Sequence, residues 1–255
     1  MTGPRTLSRR AALGVPLALC WAARARAFGE HGAFHTRLLR AGGAAPVDLL
    51  ASGAGRWAWE LVRRTSAPAR LVSVEVRADE RALNAEPFAI WAGGGDPGTL
   101  TGAELRGLER FIRLGGVLLV DDRDPERGGF NRGARRELAR VLPESAPVTL
   151  DPSHVIYKTF YMVERPVGRV LGPPTIDAIV RAHAAQVIFL QHDLLGALAR
   201  AGEGFALECV PGGAQQREQA IRLAVNLAMY VLCSDYKDDQ VHAPWLMRRR
   251  FRQQP

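Results

Sequence analysis

The chain has 255 residues, 47% hydrophobic and 24% charged, with a formal net charge of +8 and three cysteines. This is the balance of a folded globular protein, and it excludes a disordered or low-complexity chain. Downstream of residue 27 no stretch approaches the ~18 uncharged apolar residues that a membrane span needs.

The first 27 residues stand apart from the rest. Ser8-Arg9-Arg10 precedes an apolar run, Ala11 to Ala23, and Ala25-Arg26-Ala27 supplies small residues for cleavage. Paired arginines before a short apolar core resemble a twin-arginine export signal, with Ala12 where an aromatic is usual. One alternative is a lipoprotein signal ending at Cys20, for which Leu19 is a poor preceding residue. The other is an uncleaved inner-membrane anchor, for which the apolar run is short. The chain therefore divides into an export signal (1–27), a single domain (28–247) and a basic tail (248–255), and the expected location is periplasmic or exported. The signal holds five arginines and no acid, so the charge of +8 falls to +3 for the remainder. Arg248, Arg249, Arg250 and Arg252 carry much of that excess. In an exported protein they point away from nucleic acid and read as a solvated terminus, with peripheral membrane contact as the alternative.

Phe34 to Gly55 reads as an irregular lead-in with a short helix around Leu49, and Arg56 to Thr65 as a helix with Trp57 and Leu61 on one face. Leu71 to Val76 alternates at period two, as an edge strand does. Phe88–Ala92 is a short apolar strand that Gly93-Gly94-Gly95-Asp96-Pro97-Gly98 breaks. Thr101 and Glu104 form a capping box, Leu105, Leu108 and Ile112 mark one helical face, and Gly115-Gly116 stops the helix before Val117-Leu-Leu-Val120 and Asp121-Asp122. Strand, glycine loop, helix and strand make a βαβ unit, and so a parallel sheet covered on both faces. Farther on, Gly133 to Leu142 reads as a helix, Thr175–Arg181 as strand or helix, Val187–Leu190 as a buried strand and Phe205–Val210 as another. Gln215–Cys233 is the longest helix and apolar nearly all round, so it is expected to be sandwiched. Asp235 to Trp245 reads as polar and irregular. Cys209 and Cys233 are small buried hydrophobes by default, and a disulfide between them is the alternative.

Open parallel sheets bind ligands beyond the carboxyl ends of their strands. Three features fall there: the loop Gly93, Gly94 and Gly95; the acids Asp121, Asp122 and Asp124; and His192-Asp193. The glycine loop can cradle an anion or serve only as a tight turn. It lacks the GxGxxG and GK[ST] spacings, so no nucleotide cofactor is expected. The three carboxylates can hold a divalent metal, or be solvated partners of Arg123 and Arg127, and Asp122 is the best placed of them. His192 can act in acid–base chemistry or line a polar loop, and Asp193 can cap a helix. His154, beside Tyr157, Phe160 and Tyr161, can line the same cleft or be a satisfied structural histidine. No GxSxG or cysteine-bearing turn follows any strand, and Asp121-Asp122 stands where an amidotransferase nucleophile would be.

Several runs together resemble an uncharacterised bacterial family. These are Phe88-Ala-Ile-Trp-Ala-Gly93, Phe111-Ile-Arg-Leu-Gly-Gly116 with Val117–Asp122, His154-Val-Ile-Tyr-Lys-Thr-Phe-Tyr161, and Asn226–Leu232 followed by Tyr236–His242. That family is a domain of unknown function with a class I glutamine-amidotransferase-like fold, distantly similar to trehalose-utilisation proteins, and the resemblance covers most of residues 34 to 247. It implies a flavodoxin-like doubly wound, mostly parallel α/β sheet with helices on both faces. Glutaminase chemistry does not carry over, because no cysteine follows Val117–Val120.

The leading expectation is an exported, non-catalytic binding or interaction module of the cell envelope. Its partner would be an envelope protein or a small carbohydrate or peptide ligand. The alternative is a hydrolase using Asp121, Asp122, His154 and His192, with or without a divalent metal. A third reading is structural, with the Arg248–Arg252 tail and Tyr236–His242 docking a membrane-bound partner.

Overall fold

The computed structural model describes residues 32–43 and 48–251, those from 235 onward by their backbone alone. The export-signal reading of residues 1–27, with Cys20, lies outside the described residues, as do Arg252 and the side chains of Tyr236–His242 and Arg248–Arg250.

Seven strands form one sheet: β1 (Phe34–Arg40), β2 (Ala69–Arg77), β3 (Phe88–Gly93), β4 (Val117–Asp122), β5 (Val148–Thr149), β6 (Asp177–Arg181) and β7 (Ala184–Leu190). Their order is β2-β1-β3-β4-β7-β6-β5. The first five in that order run parallel, and β6 and β5 are added antiparallel at one edge. Strand side chains alternate between the faces. Leu38, Ile90, Leu119 and Ile188 therefore enter one core, and Leu39, Trp91, Leu118 and Val120 the other. Helices α1 (Asp48–Thr65), α4 (Leu194–Leu198) and α5 (Gly213–Phe251) cover the first face. Helices α2 (Gly102–Arg113) and α3 (Gly129–Val141) cover the second. The fold is α/β and doubly wound in the flavodoxin-like order, as expected. Burial on both faces explains why β3, β4 and β7 read as unbroken apolar runs.

The βαβ unit forms as its signals predict. Thr101 Oγ1 accepts from the Glu104 amide at 3.3 Å, and Glu104 Oε2 accepts from the Thr101 amide at 2.8 Å. Strand β2 is an edge strand, as its alternation implies.

Five expectations need correction. Phe34–Arg40 is a buried strand inside the sheet, not an irregular lead-in. Its polar residues are buried with partners: Arg37 donates to the carbonyls of Phe88, Ala82 and Leu83 at 2.9, 3.0 and 3.0 Å, and Thr36 to Ala54 at 3.2 Å. Helix α1 is continuous across Gly53 and Gly55, because Gly53 is there for close packing; a Cβ would sit 2.4 Å from the Leu195 carbonyl oxygen of α4. Phe205–Val210 is not a strand of the sheet. Gly204–Phe205 (β9) pairs with Arg200–Ala201 (β8), and Val210 makes a single parallel bridge with Val170. The Leu207 and Val210 carbonyls instead accept from the side chains of Arg217 at 2.6 Å and Gln216 at 2.9 Å. Finally, α3 begins at Gly129 rather than Gly133, and α5 continues past Cys233 through the stretch read as irregular.

Cys209 is buried and Cys233 exposed, and both are free. Helix α5 is sandwiched, with Leu223, Ala224, Leu227 and Ala228 in the core. Val231 and Leu232 border a small cavity with Gly32 to His35, so α5 passes beside the start of β1 at the rim opposite the strands' carboxyl ends.

Candidate functional site

In the flavodoxin-like order the chain reverses its direction of travel across the sheet between β1 and β3, and a crevice opens beyond the carboxyl ends there. A cleft of about 230 Å³ occupies that position. Gly43 from the loop after β1, Leu50 of α1, Ala92 to Asp96 at and beyond the end of β3 and Arg123 after β4 line it. The β1 and β3 loops are strapped together, since Gly43 donates to the Pro97 carbonyl at 2.6 Å. Gly42 sits at φ +59°, and a Cβ on it would lie 2.3 Å from the Pro97 oxygen, so only glycine fits there. On the other side, the Gly93 backbone lies against Phe130, whose ring a Cβ would meet at 2.5 Å. Gly95 has open space beyond it.

The acids at the end of β4 diverge. Asp121 and Asp122 are consecutive in a strand, so their side chains leave on opposite faces. Asp121 accepts the amides of Leu194 and Leu195 at 2.9 and 2.8 Å and so anchors α4. Asp122 accepts the amides of Asp124 and Asn131 at 3.0 and 3.1 Å and so anchors the start of α3 on the other face. Both are buried rather than solvated. Burial raises the Asp121 carboxyl well above the ordinary range, with nearby Asp193 adding to the shift and the two amide donors opposing it. Asp122 is raised too, chiefly by burial. Asp124 pairs with Arg127 at 3.5 Å. The three candidate metal ligands thus do not share a face. Among the described residues no group of three or more His, Cys, Asp or Glu comes together as a metal site.

Asp193 adopts φ +52° and caps α4, accepting the Gly196 amide at 3.0 Å and pairing with Arg169. Burial raises its carboxyl, against the pull of Arg169. His192 is 1% exposed. Its Nε2 donates to the Pro173 carbonyl at 3.0 Å and its Nδ1 accepts the Gln191 amide at 3.2 Å. Burial pushes its pKa down to about 4, so the ring is neutral near pH 7. The segment from Gly168 to Gly172 lies directly on Gln191 and His192, and a Cβ on either glycine would sit 2.1 Å from their carbonyl oxygens. That strap closes the end of β7 and leaves the opening at β1, β3 and β4.

His154 and Tyr157 do not line the cleft. His154 caps a 3-10 turn, Val155–Tyr157, and its ring centroid is 6.1 Å from that of Tyr230. The Tyr230 hydroxyl accepts from Ala185 at the opposite end of β7, at 2.7 Å. Burial, then nearby Lys158, lowers the His154 pKa. The Tyr157 hydroxyl accepts the Ile176 amide at 2.9 Å. The runs His154–Tyr161 and Asn226–Leu232 are one packed unit. Asn226 accepts from Phe160 and Tyr161 at 3.1 and 2.7 Å and donates to Ile156 and Tyr161 at 3.0 and 2.8 Å.

Of the candidate residues, the structure brings Gly93, Gly94 and Gly95 to the cleft, sets Asp121, Asp122, His192 and Asp193 beneath the rim as buried supports, and leaves His154 and Tyr157 out of the cleft lining. Sequence reasoning missed Arg123, which reads there as a counter-ion to its neighbouring acids. Its one sequence signal is its place directly after a strand end. Among curated proteins, none matches the chain. Residues 44–232 match the family described as a domain of unknown function (DUF4159), and the chain belongs to that family.

Proposed function

We propose that the protein is an exported, non-catalytic module of the cell envelope, built on an amidotransferase-like scaffold, that captures a small carbohydrate- or peptide-class ligand in the cleft between β1 and β3. The observation carrying this reading is the place of the cleft, at the reversal of strand order where doubly wound sheets take their ligands. The absence of catalytic convergence among the named candidates supports the non-catalytic part. Asp121 and Asp122 are consumed as helix anchors, His192 is buried and neutral, and His154 lies toward the other rim. A hydrolase needs such groups within hydrogen-bond reach of one substrate atom. The paired arginines, Arg9 and Arg10, and the apolar run after them support the envelope location.

Gly95 offers the test, since it lines the cleft and a Cβ on it has nothing within 4 Å. Protein purified from the envelope fraction is expected to retain a small molecule, detectable by mass spectrometry after denaturation. Gly95→Trp is expected to lose it while unfolding at the wild-type temperature. Equal retention by both proteins rejects the cleft as the site.

A further inference from the structure

The carboxylates around the cleft are each held by an arginine, and buried Asp193 also feels the charge of Arg123. Asp96, which lines it, is held by Arg136 at 2.8 and 3.0 Å and accepts the Gly98 amide at 2.8 Å. Asp124 pairs with Arg127 and Asp193 with Arg169. Arg123 lines the same cleft, and among the described residues no carboxylate lies within ion-pair distance of it. Its Nε is buried and has no hydrogen-bond partner. Leaving a buried donor of a charged group unpaired is unfavourable, and such a group calls for a partner. The fork of a guanidinium fits two oxygens of one carboxylate or phosphate. Among the described residues no aromatic side chain lines the cleft to stack on a sugar or base. The remaining wall is small, with Gly43, Ala92, Gly93, Gly94 and Gly95 leaving room for the group Arg123 would hold.

We propose that Arg123 receives the anionic group, carboxylate or phosphate, of the ligand that enters the cleft. This rests on the reading of the cleft as a ligand site and adds the charge of what it takes. Among the described residues Asp96 is the only acid in the lining, and Arg136 already engages it.

Inorganic phosphate and succinate serve as probes, titrated calorimetrically into wild type, Arg123→Gln, Arg123→Lys and Gly95→Trp at low ionic strength, with thermal unfolding of each as the check on folding. The expected result is saturable binding of at least one probe to wild type. Arg123→Gln should weaken it tenfold or more, Arg123→Lys should weaken it less, and Gly95→Trp should abolish it. Saturation by phosphate alone assigns a phosphoryl group, and by succinate alone a carboxylate. Two results overturn the proposal: neither probe saturating wild type, or Arg123→Gln binding as wild type does. In either case, an envelope compound retained by wild type and lost by Gly95→Trp leaves the ligand site standing with a neutral occupant. Retention unchanged in Gly95→Trp removes the site as well.

Discussion

Asp121 is the clearest case of a residue whose chemistry is spent on the fold. Each of its oxygens accepts one amide at the start of α4. Asp121→Ala leaves both amides without an acceptor, so it should cost about 1–3 kcal/mol, read as a lower denaturation midpoint with unchanged slope. His192 sets a pH dependence of the opposite sign to that of Asp121. Its folded pKa of about 4 lies below the ordinary value of 6.5, so the unfolded chain binds the proton first. Stability contributed by the neutral ring is present above pH 6.5 and is lost as pH falls toward 4, at most on the order of 3 kcal/mol. His154, also lowered, adds in the same direction. The raised Asp121 carboxyl works the other way, favouring the fold at low pH and losing that contribution as pH climbs through its raised pKa. Thermal unfolding between pH 4 and 7 should therefore fall more steeply with acidity in wild type than in His192→Gln, which keeps a donor for the Pro173 carbonyl without the titration.

At the scale of elements, glycine has two meanings that a sequence does not separate. Gly115 and Gly116 end a helix, whereas Gly53 lies inside one. In an exposed helix, Gly→Ala gains about 0.5–1 kcal/mol. Here the added Cβ would meet the Leu195 carbonyl oxygen at 2.4 Å, so Gly53→Ala should instead destabilise by about 1–3 kcal/mol, measured by chemical denaturation. The same ambiguity explains what was legible. The unit from β3 through α2 to β4 could be read because the capping box, the apolar spacing and the glycine stops agree. Strand β1 could not be, because His35, Thr36 and Arg37 interrupt its pattern and only distant partners satisfy them: Glu86 at 2.8 Å for His35 and the Phe88 carbonyl for Arg37. The candidate site was half legible. The glycine turn announces itself, and period two already sends Asp121 and Asp122 to opposite faces. Arg123 stayed hidden, because whether an arginine beside three acids is paired depends on which partners those acids have already found.

For the whole molecule, the two covered faces and the strapped end of β7 leave the switch point as the opening at which loops from three strands meet. Belonging to a family of unknown function gives the chain no activity. On the proposed reading, the buried acids hold the frame and Arg123 does the recognising. Strand β1 leads from the small cavity beside Val231 and Leu232 up to the cleft, and its seven residues span roughly 20 Å. Anything joined ahead of β1 is therefore joined at the foot of the body. A leash attached there would meet the body at the end away from the cleft and leave the mouth unobstructed.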